Sequence, residues 1–116
     1  MDMWHVATTV EYDHWLDQLS QIAVVEIIAV VSLLSQWGPR LSRPHADTLN
    51  GSRFANMKEL RVRTSSAEIR IAFAFDPDRQ AVLLIAGDKR GVNEKRFYRQ
   101  LIAKADDLYA RHLQMR

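Results

Sequence analysis

The chain contains no cysteine. That excludes disulfide frameworks, cysteine-based zinc sites and a cysteine nucleophile, and it fits the reducing cytoplasm. No Lys or Arg precedes Arg40. The amino-terminal stretch therefore has no basic region ahead of an apolar one, and a secretory signal is not expected. The longest apolar run, IAVVEIIAVVSLL from Ile22 to Leu34, is 13 residues long and is interrupted by Glu26. A membrane span needs about 20 apolar residues, so the run reads as a buried helix, with no membrane partner. Gly-rich phosphate loops, GxSxG and HExxH are all missing. The four histidines, His5, His14, His45 and His112, lack metal-ligand spacing, so neither a metal nor another cofactor is expected.

What is present supports a real core. Of 116 residues, 47% are apolar, which suits a single domain spanning 1–116 rather than a disordered chain. There are no internal repeats, low-complexity tracts or linkers. The formal net charge of +2 conceals an uneven distribution. Before Arg40 the charged residues are Asp2, Glu11, Asp13, Asp17 and Glu26; from Arg40 onward all 16 basic residues meet nine acidic ones. Such asymmetry in a small domain points to a polyanionic partner on one face, although surface ion pairs alone can also produce it.

Local patterns divide the chain. Trp4 to Val10 is β-rich and reads as a strand. Glu11 to Leu19 has Tyr12, Trp15, Leu16 and Leu19 at helical spacing, with acids at the end where the helix dipole favours them. Gln21 to Trp37 is rich in β-branched residues, but its length favours a helix, stopped by Gly38-Pro39. Arg40 to Arg53, with Pro44 and Asn50-Gly51, reads as a loop. Strands follow at Lys58–Arg63, Glu68–Phe75 and Ala81–Ala86, the last two joined by an Asp76–Arg79 turn. Ala81–Ala86 is apolar throughout, as in a strand covered on both faces. Asn93 can cap a last helix from Glu94 to Leu113, with Phe97, Leu101, Ala105 and Leu108 on its buried stripe. The order β-α-α-β-β-β-α predicts an α+β fold, a small curved antiparallel sheet with helices packed on one face and the other partly open.

The candidate chemistry lies in NMKELRVRTSSAEIRIAFAFDP, Asn56 to Pro77. Alternation puts Arg61 and Arg63 on one face of their strand and Arg70 beside small Ala72 and Ala74 on the next. Lys89 follows the third of these strands, and Tyr98 lies one turn into the last helix. Guanidinium forks suit phosphate, so such a cluster can hold an RNA backbone or stabilise a pentavalent phosphate. Each arginine alone is better read as a solvated strand position; it is the cluster that favours the binding reading. Asp76 and Asp78 read as turn residues, and Asp106-Asp107 as solvated helix surface.

Three segments carry a resemblance: LSRPHADTLNGSRFANMKELRVR, EIRIAFAFDPDRQAVLLIAGDKRG and KRFYRQLIAKADDLYARHL. Together, and extending back to YDHWLDQL, they resemble the RelE/ParE toxin superfamily and closely its HigB-like, phage-derived branch. The resemblance implies a RelE-like fold and a toxin of a type II toxin–antitoxin pair. The implied activity is metal-independent mRNA cleavage, usually in the ribosomal A site, with translation inhibited as a result. The implied partners are mRNA, the ribosome and a cognate helix-turn-helix, HigA-like antitoxin, with operator DNA reached only through that antitoxin. Carried over, the catalytic positions fall on Arg61, Arg70, Lys89 and Tyr98. Arg53, Lys58, Arg63, Arg90, Lys95 and Arg96 would position RNA. Glu59 departs from the pattern, standing where some relatives have Lys, and Lys58 is placed to compensate. No His stands at a catalytic position, so proton transfer would fall to Lys, Arg or Tyr groups. Two alternatives share the fold: a ParE-like gyrase inhibitor acting by protein contacts, and an inactive toxin serving as co-repressor.

Overall fold

Thr9 is where the first strand hands over to the first helix. The structure, a computed structural model describing residues 3–116, begins with β1 (His5–Thr8). The Thr9 hydroxyl accepts the Tyr12 N–H at 2.9 Å, capping α1 (Val10–Asp17), and donates to the Leu84 carbonyl at 2.6 Å. Ser20 caps α2 (Gln21–Trp37) in the same way, through the Ala23 N–H. Helix α2 stops at Gly38, whose φ of +56° suits glycine; a Cβ there would collide with the Trp4 indole. A short 3₁₀ turn (Gly38–Arg40) leads through β2 (Ala46–Thr48), β3 (Met57–Arg63), β4 (Glu68–Phe75) and β5 (Gln80–Asp88) to α3 (Glu94–Gln114). Asn93 caps α3 through the Arg96 N–H.

The five strands lie in the order β1-β5-β4-β3-β2. The α+β class and the open sheet agree with the sequence expectation, but the architecture differs in three ways. The sheet is mixed, because β1 runs parallel to β5. Tight turns make β3, β4 and β5 antiparallel, whereas α1, α2 and the remaining strands intervene between β1 and β5 and leave that pair free to run parallel. Second, the segment read as a loop contains β2, whose three residues pair with Lys58, Glu59 and Leu60; an element this short shows no readable alternation.

Third, the helices cover both faces. Ile69, Ile71 and Phe73 of β4 point toward Tyr12, Ile27 and Leu34 of α1 and α2. Ala72 and Ala74 point the other way, under Leu101, Ala105, Leu108 and Tyr109 of α3. Small residues on this face let the helix approach the sheet closely. The β4–β5 register slips between Ala72 and Phe73, leaving Leu84 out of the ladder. Such a bulge frees a carbonyl from cross-strand pairing, and Leu84 uses its own to hold Thr9.

Helix α2 departs from the buried helix expected of its composition. Only Ile27 and Leu34 are buried fully, while Ile22, Val25 and Ile28 face outward.

Helices α1 and α3 are tied by a bidentate ion pair, Arg111 donating to Glu11 at 2.6 and 2.8 Å. Those bonds from Arg111 hold the Glu11 carboxyl down at about 2, below its ordinary 4.5, against an opposing effect of burial. A carboxylate whose folded pKa is depressed stabilises the fold above its unfolded value and loses that contribution as pH falls toward the folded one. The Arg111→Ala protein is therefore expected to melt below the parent at neutral pH. The gap should close between pH 4.5 and about 2, as read by thermal melts across that range.

Candidate active site

The site is built on the sheet face that α3 covers. Pairing sets Arg61 of β3 directly opposite Arg70 of β4. Two guanidinium groups in register repel each other, so a counter-charge is needed between them. Glu59, two residues before Arg61 on the same face, supplies it. Its carboxylate accepts from Arg61 Nε at 3.1 Å and lies 3.9 Å from Arg70 Nε. Glu59 is 3% exposed and Arg70 7%, so this charge group sits inside the protein, where pairing matters most.

Tyr98 closes the group from above. Its hydroxyl donates to Glu59 Oε1 at 2.9 Å and accepts from Arg70 Nε at 3.2 Å. Burial and the neighbouring Glu59 charge push the Tyr98 phenol above its ordinary value of 10.0. Gly87, paired with Arg70 across β4–β5, makes this possible. A Cβ on Gly87 would stand 3.1 Å from the Phe97 ring, so glycine lets this turn of α3 settle against the sheet and brings Tyr98 over Arg70. Arg70 is fixed further by donating from Nη1 to the Ile69 carbonyl at 3.1 Å.

Lys89 stands at the rim, its Nζ 5.8 Å from the centre of the Tyr98 ring and 2.7 Å from Glu94 Oε1. Asp47 of β2 approaches Arg61 Nη2 at 3.5 Å. Its carboxyl is held below the usual value, first by the Arg43 hydrogen bond and then by the Thr48 N–H. Together Asp47, Glu59, Arg61, Lys89, Lys95 and Tyr98 line a cleft of about 500 Å³.

The four expected catalytic residues thus converge. The six expected RNA-positioning residues do not form one set. Lys95 lines the cleft. Arg63 lies at the exposed end of β3, paired with Glu68 at 3.0 Å, and Arg90 reaches the Ser65 carbonyl. Arg96 is exposed on the first turn of α3. Lys58 follows the strand alternation onto the opposite sheet face from Glu59 and Arg61 and so does not stand in for a lysine at position 59. Arg53 packs over the Phe54 ring, and its N–H is held by Asp106, two helical turns or about 12 Å beyond Tyr98 along α3.

The sequence reading missed the acidic half of the site. Glu59, Glu68, Asp47 and Glu94 each meet one of the expected cations. The legible signal was Glu59 itself, which shares strand parity with Arg61 and Arg63. Asp106, read as solvated surface, is buried and accepts from Ser52 at 2.5 Å. Among the described residues no three His, Asp or Glu side chains are grouped to hold a metal.

This architecture can be compared with known proteins. The profile of the phage-derived Gp49-like proteins matches residues 14–110. The chain belongs to that family. Two curated relatives come from Mycobacterium tuberculosis (strain ATCC 25618 / H37Rv) and carry the provisional names toxin HigB3 and toxin HigB2. The first is 47% identical over 96 residues, covering 83% of this chain and 82% of the relative. The second is 43% identical over 100 residues, covering 85% of this chain but 49% of the relative. The chain therefore spans about half the length of one relative and most of the other. Among solved structures, the E. coli toxin RelE, determined as a double arginine-to-alanine mutant in the free state, superposes with a TM-score of 0.61. The match covers 88% of this chain and 96% of RelE at 10% identity. The Gp49-like chain therefore has a RelE-like fold and HigB-type relatives.

Proposed function

We propose that this Gp49-like protein is the toxin of a type II toxin–antitoxin pair and inhibits translation by cleaving mRNA on the ribosome. The observation that carries the proposal is the chain Arg70–Tyr98–Glu59–Arg61, a carboxylate and a phenol held between two guanidinium groups, with Glu59, Arg61 and Tyr98 lining one cleft and Arg70 the cleft beside it. In the reaction, Glu59 takes the proton of an RNA 2′-OH. The 2′-oxygen attacks the adjacent phosphorus, and the bond from phosphorus to the 5′-oxygen breaks. A cyclic phosphate and a 5′-OH result, the leaving oxygen taking a proton from Lys89 or Tyr98. Arg61 and Arg70 balance the charge that builds on the phosphate oxygens. Lys95, lining the cleft, and the exposed Arg63, Arg90 and Arg96 would hold phosphates without reading bases. Arg53 and Lys58 lie off this path and are left with a lesser share of RNA binding.

The test is a pulse of expression without antitoxin, with methionine and thymidine incorporation followed separately and mRNA 5′ ends mapped. Rapid loss of methionine incorporation with new in-frame 5′ ends is expected. Early loss of thymidine incorporation with intact mRNA would select the gyrase-inhibitor reading. Unchanged growth and incorporation would leave the co-repressor role.

A further inference from the structure

Helix α3 carries its cations in two kinds of place. Toward its end, Arg111 meets Glu11 and His112 meets Asp76, and Arg116, just past the helix, meets Asp78. Those positions suit a cation, because the carbonyl end of a helix is the negative end of its dipole. The first two turns are different. Lys95, Arg96 and Arg99 are all exposed there. Among the described residues none of the three lies within ion-pair distance of a carboxylate. The neighbouring acid, Glu94, is taken by Lys89 at 2.7 Å.

This arrangement costs stability. The amino-terminal end of a helix is the positive end of its dipole and disfavours cations. Lys95 and Arg99 are four residues apart, and Arg96 and Arg99 three, so both pairs share a helix face and repel. No Asp or Glu stands three or four residues from any of them to relieve the repulsion. The cations of the active site are placed otherwise: Arg61, Arg63, Arg70 and Lys89 each lie against a carboxylate. The Lys95–Arg99 ridge therefore holds charge that the fold itself does not use. Clustered charge of one sign that the fold leaves unmatched is the electrostatic footprint of an oppositely charged partner.

The ridge adjoins the candidate active site. Lys95 lines that cleft together with Tyr98, and Arg99 stands one helical turn, about 6 Å, farther along α3. A chain of phosphates that fills the cleft meets Lys95 first and Arg99 next. We propose that Lys95, Arg96 and Arg99 form an anchor for single-stranded RNA, holding the phosphates next to the stretch that occupies the cleft. Arg99 is thereby a binding residue, one turn beyond the cleft. Affinity and chemistry fall to different groups: the unpaired ridge holds the strand, and the paired group of Arg61, Glu59 and Arg70 acts on it. Contacts of this kind go to the backbone and confer no sequence preference. That the strand is then cut rests on the toxin reading; the holding of it does not.

The test uses the full chain and RNA made uncleavable by 2′-O-methylation. One probe is a trinucleotide, enough to fill the cleft; the other is a strand of about 12 nucleotides, within the usual range of single-strand sites. Fluorescence anisotropy across a salt series reads binding, and the longer strand should bind more tightly. Arg99→Gln should weaken its binding by about two- to fivefold, the range of one exposed ion pair. The salt slope should fall by about 0.7, the value for one phosphate of a single strand. Lys104→Gln removes the same charge from the other flank of α3, about half a turn round from Lys95, where Lys104 acts on Glu11; it should do neither. Arg96→Glu should weaken RNA binding yet raise the melting temperature of the free protein by about 1–5 °C, because an acid replaces a cation at the positive end of the helix. A merely structural role for the ridge would not give those opposite signs. The proposal is overturned by equal effects of Arg99→Gln and Lys104→Gln, by no gain in affinity with length, or by tighter binding of a duplex of the same length. An Arg96→Glu protein that melts lower than the parent overturns it too. A protein that holds the strand in this way but never cuts mRNA on the ribosome would leave the anchor standing and remove the nuclease reading.

Discussion

Replacing Arg70 with Ala is expected to leave a folded protein that cleaves mRNA about 10²- to 10³-fold more slowly, the usual effect of removing one donor from a site of developing negative charge. The fold should survive because Glu59 keeps its bonds from Arg61 and Tyr98, so no buried carboxylate is stranded. The activity should not survive. Arg70 is 7% exposed and lines the cleft beside that of Glu59 and Tyr98, where a fixed charge acts with little screening. It also orients the Tyr98 phenol through the bond from Nε at 3.2 Å. Tyr98→Phe removes that link and the bond to Glu59 together while preserving the ring. If Arg70 and Tyr98 act as a unit, the double variant should be little slower than the worse single one. Cleavage assayed on programmed ribosomes, beside a thermal melt of each variant, measures both sides. A folded Arg70→Ala protein that still cuts at the parent rate would remove Arg70 from the machinery.

The same residues show why the sequence could be read only part of the way. Alternation in Glu68–Phe75 and the helical spacing in Glu94–Gln114 are local and strong, and both elements appear as expected. The cross-strand register is what sets Arg61 opposite Arg70, and the turn lengths that fix it left that pairing within reach of the sequence. The parallel β1–β5 pair was not, because nothing local records which edge a strand will join after two helices. The split of helices over two faces was written in Ala72, Ala74 and Gly87. Their smallness looks like the floor of a binding site until α3 is seen to fill it. Above all, counting cations along the chain suggested an open basic surface. Folding brought a carboxylate to each of Arg61, Arg63 and Lys89. Burial of Glu59 and Arg70 demands such pairing, and which acids satisfy it is a property of the tertiary structure.

That pairing makes Glu59 the residue on which the proposed chemistry turns. Arginine stays protonated across the working range of the protein, and the Tyr98 phenol is pushed upward by burial and by Glu59, so neither is suited to accept a proton near neutrality. The Glu59 carboxylate, 3.1 Å from Arg61 and 2.9 Å from Tyr98, is the acceptor that lines the same cleft. Glu59→Gln keeps the size and the capacity to accept hydrogen bonds but cannot take up a proton. Cleavage is expected to fall by about 10²- to 10⁴-fold, the range for loss of a positioned general base. Stability should change far less, since Arg61 retains Asp47 as a counter-ion at 3.5 Å and Arg70 retains Glu68 at 3.9 Å. The discriminating reading is cleavage set against RNA binding. If Glu59 is the base, Glu59→Gln should bind RNA as the parent does and fail to cut it, while Lys89→Gln, which removes a cation lining the cleft, should weaken binding as well. A Glu59→Gln protein with the parent's rate would reduce Glu59 to a structural counter-charge for Arg61 and Arg70 and return proton abstraction to Lys89.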